Sequence, residues 1–392
     1  MSIHFGTIVP PHIPPDQQLS WVWLVEQLGF DTAWWPDHLL FMDEAPGWDC
    51  WTLMAAAAVK TRRIRLGTAV SDPHRFHPAL FAQRAATLDQ LSRGRVIVGL
   101  GSGEAMNLEP FGLPWQDRRV GRMREFIQVL RGLLDSTAPL SHEGRLYRLK
   151  NAALSVQPYQ GRKIPLYLAS LGPQMMELAG QWADGWMPVA IPQQFYAGYF
   201  EPIARSARAR GRDPAAIERC VPLAFALIEG KKSLTKAQIG RAVRPFAGVL
   251  VWPTVVRQLG LEWNPPEHLK DVSFHTVDPS DPTSVQLFRE YAEWIPDELL
   301  AEFVYAGDRD YLQEVVRKHV EAGVTHFNVH NASPDPIAAT LWFAEDVMPR
   351  YSGRPAPLFL KVLRRALAPA AWLGLTRKLV PAQFDIWKPL GI

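Results

Sequence analysis

The chain has 392 residues, 47% of them hydrophobic and 21% charged, with a formal net charge of +3. Such a balance describes a globular protein with a sizeable core; it excludes disorder as a whole-chain description, and without a basic stripe interleaved with aromatics it gives no nucleic-acid partner. Cys50 and Cys220 lack metal-ligand spacing, no apolar run approaches the ~20 residues of a transmembrane helix, and the first residues lack a secretory pattern, so a cytoplasmic, non-spanning protein is expected.

Short apolar runs alternate with amphipathic ones along the chain. Strands are predicted over residues 3–9, 32–35, 64–70 and 96–99, each followed by a helix, over 17–28, 51–60, 79–91 and 119–134. Strands over 164–169 and 185–189 precede helices over 175–182 and 193–210, and a seventh strand covers 220–228. Residues from about 230 to 300, rich in proline, tryptophan and lysine, break the rhythm and read as an insertion. A helix over 311–322 ending at Gly323 and a strand over 325–330 then complete eight strands. Regular alternation implies parallel strands with right-handed crossovers, and eight of them predict a closed (β/α)8 TIM barrel over residues 1–350.

Catalytic groups on such a barrel gather where the strands end. The second strand runs through Trp34 and Trp35 into Pro36 and then presents Asp37 and His38, a histidine coupled to a carboxylate and suited to acid-base work. The fourth breaks into glycines at 99, 101 and 103, where a backbone or a flat ligand is expected to come close, and delivers Glu104 at an expected helix N-terminus, where amides favour an anion. Glu104 alone reads equally well as a helix cap. Two strand ends bearing such groups point to one shared face.

The last stretch, residues 351–392, mixes apolar residues with lysine and arginine. It reads either as a segment packed on the barrel or as one lying peripherally on an anionic membrane, and Pro369 and Pro381 divide it into short pieces.

These strand ends resemble those of the bacterial luciferase-like flavin and deazaflavin oxidoreductases. The likeness rests on Asp37-His38, on Leu66-Gly-Thr-Ala-Val70, on Gly101-Ser-Gly-Glu-Ala-Met-Asn107, and on Ala169-Ser-Leu-Gly-Pro-Gln-Met175 with Gly180 and Ala183-Asp-Gly185. Within the family they resemble the branch that uses coenzyme F420, and within that branch the phthiodiolone ketoreductase type. The resemblance implies hydride transfer between the deazaflavin and a carbonyl or alcohol carbon, with Glu104 and His38 supplying the proton. It implies cofactor contacts from Asp37, Thr68, Ala69, Val70, Gly101, Ser102, Gly103 and Asn107. Ser170, Leu171, Gly172, Pro173, Gln174 and Met175 would open a helix whose free amides hold the cofactor phosphate. A non-prolyl cis peptide is implied at Ala69-Val70, and relatives of this kind commonly form homodimers.

The chain departs from sugar-phosphate dehydrogenases of the branch at Met42, where they carry tryptophan, and the insertion offers Trp252, Trp263, Phe274 and Trp294 in place of a basic phosphate site. A large hydrophobic, lipid-like substrate is the resulting expectation. An FMN-dependent monooxygenase, a methylenetetrahydropterin reductase and a non-enzymatic flavin or lipid carrier stand as alternatives.

Overall fold

The computed structural model describes residues 2–41, 46–115, 118–230, 234–358 and 360. Eight parallel strands close into a barrel: β1 (His4–Ile8), β2 (Thr32–Trp35), β3 (Arg65–Thr68), β4 (Val96–Leu100), β5 (Leu166–Leu168), β6 (Gly185–Trp186), β7 (Glu218–Leu227) and β8 (His326–Asn331). Closure is made by β8 between β7 and β1, with His326 level with Cys220 on one side and His4 on the other. Helices α1 (Pro15–Gln27), α2 (Cys50–Lys60), α3 (Pro78–Ser92), α4 (Arg119–Leu134), α5 (Pro173–Trp182), α6 (Tyr196–Ala209), α7 (Arg309–Glu321) and α8 (Pro336–Trp342) surround it. The predicted (β/α)8 barrel is the observed fold.

Strands covered on both faces need no polar face, which is why β2 and β4 are buried along their whole length. Trp34, Ile97, Tyr167, Met187 and Cys220 fill the barrel interior, while a larger apolar layer joins the strands to the helices. Both cysteines are fully buried free thiols.

Two features escaped the sequence reading. A small antiparallel hairpin, Leu140–Glu143 with Arg148–Ala152, stands between α4 and β5, and a short strand, Tyr305–Gly307, extends the sheet beside the far end of β7. Both are too short to show a period. The insertion is helical, with Lys236–Val243 and Pro282–Trp294 as its longest pieces, and it carries its own apolar core. That core reaches down to Met106, Leu171, Val189 and Ala226, so the insertion roofs the C-terminal strand ends. Among the described residues no helix is long and apolar enough to cross a membrane. The expected basic-apolar tail, beyond its first few residues, and Met42 lie outside the described residues.

Candidate active site

β2 ends where Pro36 offers no ladder donor, and Asp37 and His38 follow. The Asp37 side chain turns inward. It accepts from Arg75 Nη1 at 2.9 Å, from Ser71 Oγ and from Trp51 Nε1 at 3.4 Å, while Arg75 also donates to the Asp37 carbonyl at 2.8 Å and to Asp72 Oδ2 at 2.6 Å. Burial opposes the guanidinium charge, but the two carboxylates outweigh it and hold Arg75 above its usual range. Asp37 was expected at the cofactor; its carboxylate is instead spent inside the protein, where it anchors the loop that carries His38.

The Ala69–Val70 peptide is cis, at the position where the resemblance implied one. The Thr68 hydroxyl donates to the Gly99 carbonyl at 2.8 Å and accepts from the Gly99 amide at 3.0 Å, so it ties β3 to β4 and is not free for a ligand. A Cβ on Gly101 would stand 2.6 Å from Val70 Cγ2, and Gly103, at φ +83°, is already closed in by Leu108 and His74. These two glycines make room for neighbouring side chains, and the expected close backbone approach is found at Gly99, where a Cβ would meet the Thr68 carbonyl. The Ser102 carbonyl accepts from His74 Nε2 at 3.0 Å.

Glu104 does not open a long helix. It precedes a three-residue 3₁₀ turn, Ala105–Asn107, its side chain makes no capping bond, and α4 begins only at Arg119. The expected support from helix amides is therefore absent, because one short turn aligns too few peptide dipoles. Asn107 takes that place. Its Nδ2 donates to Glu104 Oε2 at 3.1 Å, and its Oδ1 accepts from the Leu39 and Leu40 amides at 2.7 and 3.1 Å. One buried amide thus fastens the loop after β2 to the loop after β4, and His38 Nε2 stands 3.6 Å from Glu104 Oε2. The two side chains keep 14% and 20% of their exposure, while His38 Nδ1 is buried without a partner among the described residues.

The insertion closes over this pair. The Phe274 ring centroid lies 6.4 Å from that of His38, whose other neighbour is Phe41 at 4.7 Å. The carbonyl of His275 accepts from the Ala105 amide at 3.0 Å. The His275 ring packs between Trp252 and Trp115, and burial lowers its pKa against the opposing charge of Glu104.

At the fifth strand end, Gly172 precedes α5 with Pro173 in the first helical position and no side chain capping the turn. Among the described residues nothing lies within 4 Å of a Cβ placed on Gly172, so none of them covers the N-terminal amides of α5 there. Ser170 is buried and its carbonyl accepts from Trp186 Nε1 at 3.0 Å, and the Leu171 carbonyl accepts from the Tyr199 hydroxyl at 3.3 Å. A groove of about 460 Å³ beside this turn is lined by Leu171, Pro173, Met176, Phe195, Tyr199 and Leu259, among others. Gln174 and Met175 follow in the first turn, the Met175 side chain buried.

Sequence reasoning missed Arg75, Phe41 and His275, and it named Phe274 only as one of the insertion's aromatics, not as a neighbour of His38. A signal for Arg75 was present in Ser71-Asp-Pro-His-Arg75, a polar run directly after the third strand. No local signal marked His275, which reaches the site from more than 150 residues away in sequence.

Residues 2–326 match the family model described as luciferase-like monooxygenase. A phthiodiolone/phenolphthiodiolone dimycocerosates ketoreductase of Mycobacterium kansasii is 31% identical over 290 residues, 72% of this chain and 77% of that protein. An F420-dependent glucose-6-phosphate dehydrogenase of Beutenbergia cavernae is 31% identical over 351 residues, 87% of this chain and 94% of that protein. Among solved structures, an F420-dependent secondary alcohol dehydrogenase in complex with an F420-acetone adduct superposes with a TM-score of 0.74 at 27% identity, covering 89% of this chain and 99% of that one.

Proposed function

The chain belongs to the luciferase-like family, and from that premise we propose that it is an F420-dependent oxidoreductase interconverting a ketone and a secondary alcohol on an apolar substrate. The observation that carries this reading is the His38–Glu104 pair, 3.6 Å apart at the C-terminal strand ends beneath an aromatic roof. The relatives named F420-dependent match along most of their length, which supports the cofactor.

The residues present fit such a cofactor. The uncapped N-terminus of α5, at Ser170 to Met175, offers unpaired amides and the positive end of a helix dipole to a phosphate, with none of the described residues standing against Gly172. Ala69, Val70, Gly101, Ser102 and Gly103 form the wall against which a flat ring would rest. Asp37, Thr68 and Asn107 act one step back: their polar groups hold that wall and the loop of His38 in place.

When bound, the reduced deazaflavin supplies the hydride that attacks the carbonyl carbon. The oxygen then develops negative charge and needs a proton. His38 Nε2 and Glu104 Oε2 are the two groups placed to deliver it, and Asn107 fixes the carboxylate oxygen so that the pair stays aimed at one place. The roof of Trp252, Phe274 and Phe288 excludes water and presents an apolar surface to the rest of the substrate, which favours a bulky lipid-like ketone.

Glu104→Gln is the test. It keeps shape and removes the proton, so turnover of a methyl ketone by reduced F420 falls by about 10² or more, the range for loss of a positioned acid. The dissociation constant for F420, followed by fluorescence, changes less than about twofold. Unchanged turnover would remove Glu104 from the mechanism.

A further inference from the structure

Phe274 and His275 are neighbours in the insertion, and between them they hold both members of the pair. The Phe274 ring lies 6.4 Å from His38 with the ring planes 30° apart, and Phe41 stacks on the same imidazole at 4.7 Å. The His275 carbonyl accepts from the Ala105 amide, which fixes the residue directly after Glu104. Neither contact stands alone: Phe274 packs on Phe288, His275 against Trp252 and Trp115, and Met106 is buried in the insertion's own core. A ring packed against two aromatic neighbours loses rotamer freedom, and an amide bound by the insertion fixes the backbone from which Glu104 projects.

We infer that the dipeptide Phe274-His275 is a positioning clamp, through which the insertion sets the distance between His38 and Glu104. This rests on the reading of those two residues as the proton pair. The insertion that covers the substrate also adjusts the acid, so an apolar substrate pressing on Phe274 and Phe288 tightens the geometry on which its own turnover depends. Among the described residues the titratable or charged groups that face the pair's loops include His275, which feels the charges of Glu104 and Arg119, and His74, which bonds the Ser102 carbonyl beside Gly103.

The clamp is tested in the full-length protein by nuclear magnetic resonance of ¹³C-labelled histidine, with the titration midpoint of His38 as the readout. Glu104→Gln is introduced into the wild-type chain and into Phe274→Ala, with Phe274→Leu as a milder second background and circular dichroism to verify folding. The expected result is that Glu104→Gln shifts the His38 midpoint in the wild-type chain and shifts it by less than half as much in either variant, with Phe274→Tyr restoring the full effect. An equal shift in all backgrounds would overturn the clamp while leaving the pair intact. No shift in the wild-type chain would overturn the pair itself, and the clamp with it.

Discussion

The two mouths of this barrel carry similar chemical groups, and their carboxylates differ in how fully they are bonded. At the N-terminal end Glu218 accepts from His4 Nδ1 at 3.0 Å and from Arg65 Nη1 at 3.3 Å, and lies 3.2 Å from His326 Nδ1. Burial alone would raise this carboxyl, but the hydrogen bonds from His326 and His4 and the Arg65 charge outweigh it and hold it far below the usual range. His4, Glu218 and His326 are ligand-type side chains close enough for a metal, yet Arg65 already supplies the cation. At the C-terminal end the histidine and the glutamate stand 3.6 Å apart, beyond hydrogen-bond distance. Each mouth keeps a buried imidazole nitrogen without a partner among the described residues, His326 Nε2 and His38 Nδ1, so the difference lies in the carboxylate: Glu218 is engaged through both oxygens and has little left with which to react. The loose pair can gain a bond when a substrate arrives, which is why the same residue types read as stability at one mouth and as chemistry at the other.

Acid should destabilise the fold through buried histidines at both ends of β8. Burial lowers His326 and His330 there, and His319 on α7, to about 4 from an ordinary 6.5. Well above pH 6.5 all three are neutral folded or unfolded, and stability is at its full value. As pH falls from 6.5 toward 4, the unfolded chain takes up protons that the folded chain refuses, and each site gives up roughly 3 kcal/mol over that interval. Thermal unfolding followed by circular dichroism should therefore show a midpoint that falls steadily below pH 6.5; a flat profile down to pH 4 would mean that these histidines are not held neutral.

Next in size is Glu218→Gln, the counterpart of Glu104→Gln at the other mouth. It leaves the Arg65 guanidinium and two imidazoles short of their acceptor, at a cost of about 2 kcal/mol. Urea unfolding would register the loss, while turnover of the folded enzyme stays within about twofold of the parent, as expected for a site outside the catalytic face. Reduced turnover with unchanged stability would invert the comparison. The smallest effect expected is that of Gly172→Leu. Its backbone, at φ −77°, accepts any residue and its Cβ meets none of the described residues, so folding should be unaffected. The side chain would, however, stand in front of the α5 amides and weaken F420 binding about tenfold, or 1.4 kcal/mol. An unchanged dissociation constant would refute the phosphate cradle.

The barrel was legible in the sequence because strands buried on both faces and helices buried on one differ in period, and each turn of that alternation repeats the signal. His38 and Glu104 were legible for a related reason: strand ends are fixed by the fold, so a polar residue directly after an apolar run is placed by counting. What Asp37 does was not legible, since its partner Arg75 is 38 residues away and a buried ion pair looks in sequence like any exposed acid and base. The support of Glu104 was misassigned for a similar reason. Whether a helix of one turn or of four follows depends on residues 105–118, where Pro110 and Pro114 break the helical pattern before α4 can start. Phe274 and His275 lie in an insertion whose docking is decided only by tertiary packing.

The central claim is that the open mouth is built for a deazaflavin. The most direct measurement is a titration of the full-length protein with coenzyme F420 and, separately, with FMN, read by quenching of intrinsic tryptophan fluorescence; Trp34, Trp35, Trp51 and Trp115 lie in or beside the strand ends that would hold the ring. Saturable quenching by F420 with at least tenfold weaker binding of FMN is the predicted result. Preferential binding of FMN would contradict the account and make an oxygen-consuming monooxygenase the reading to pursue.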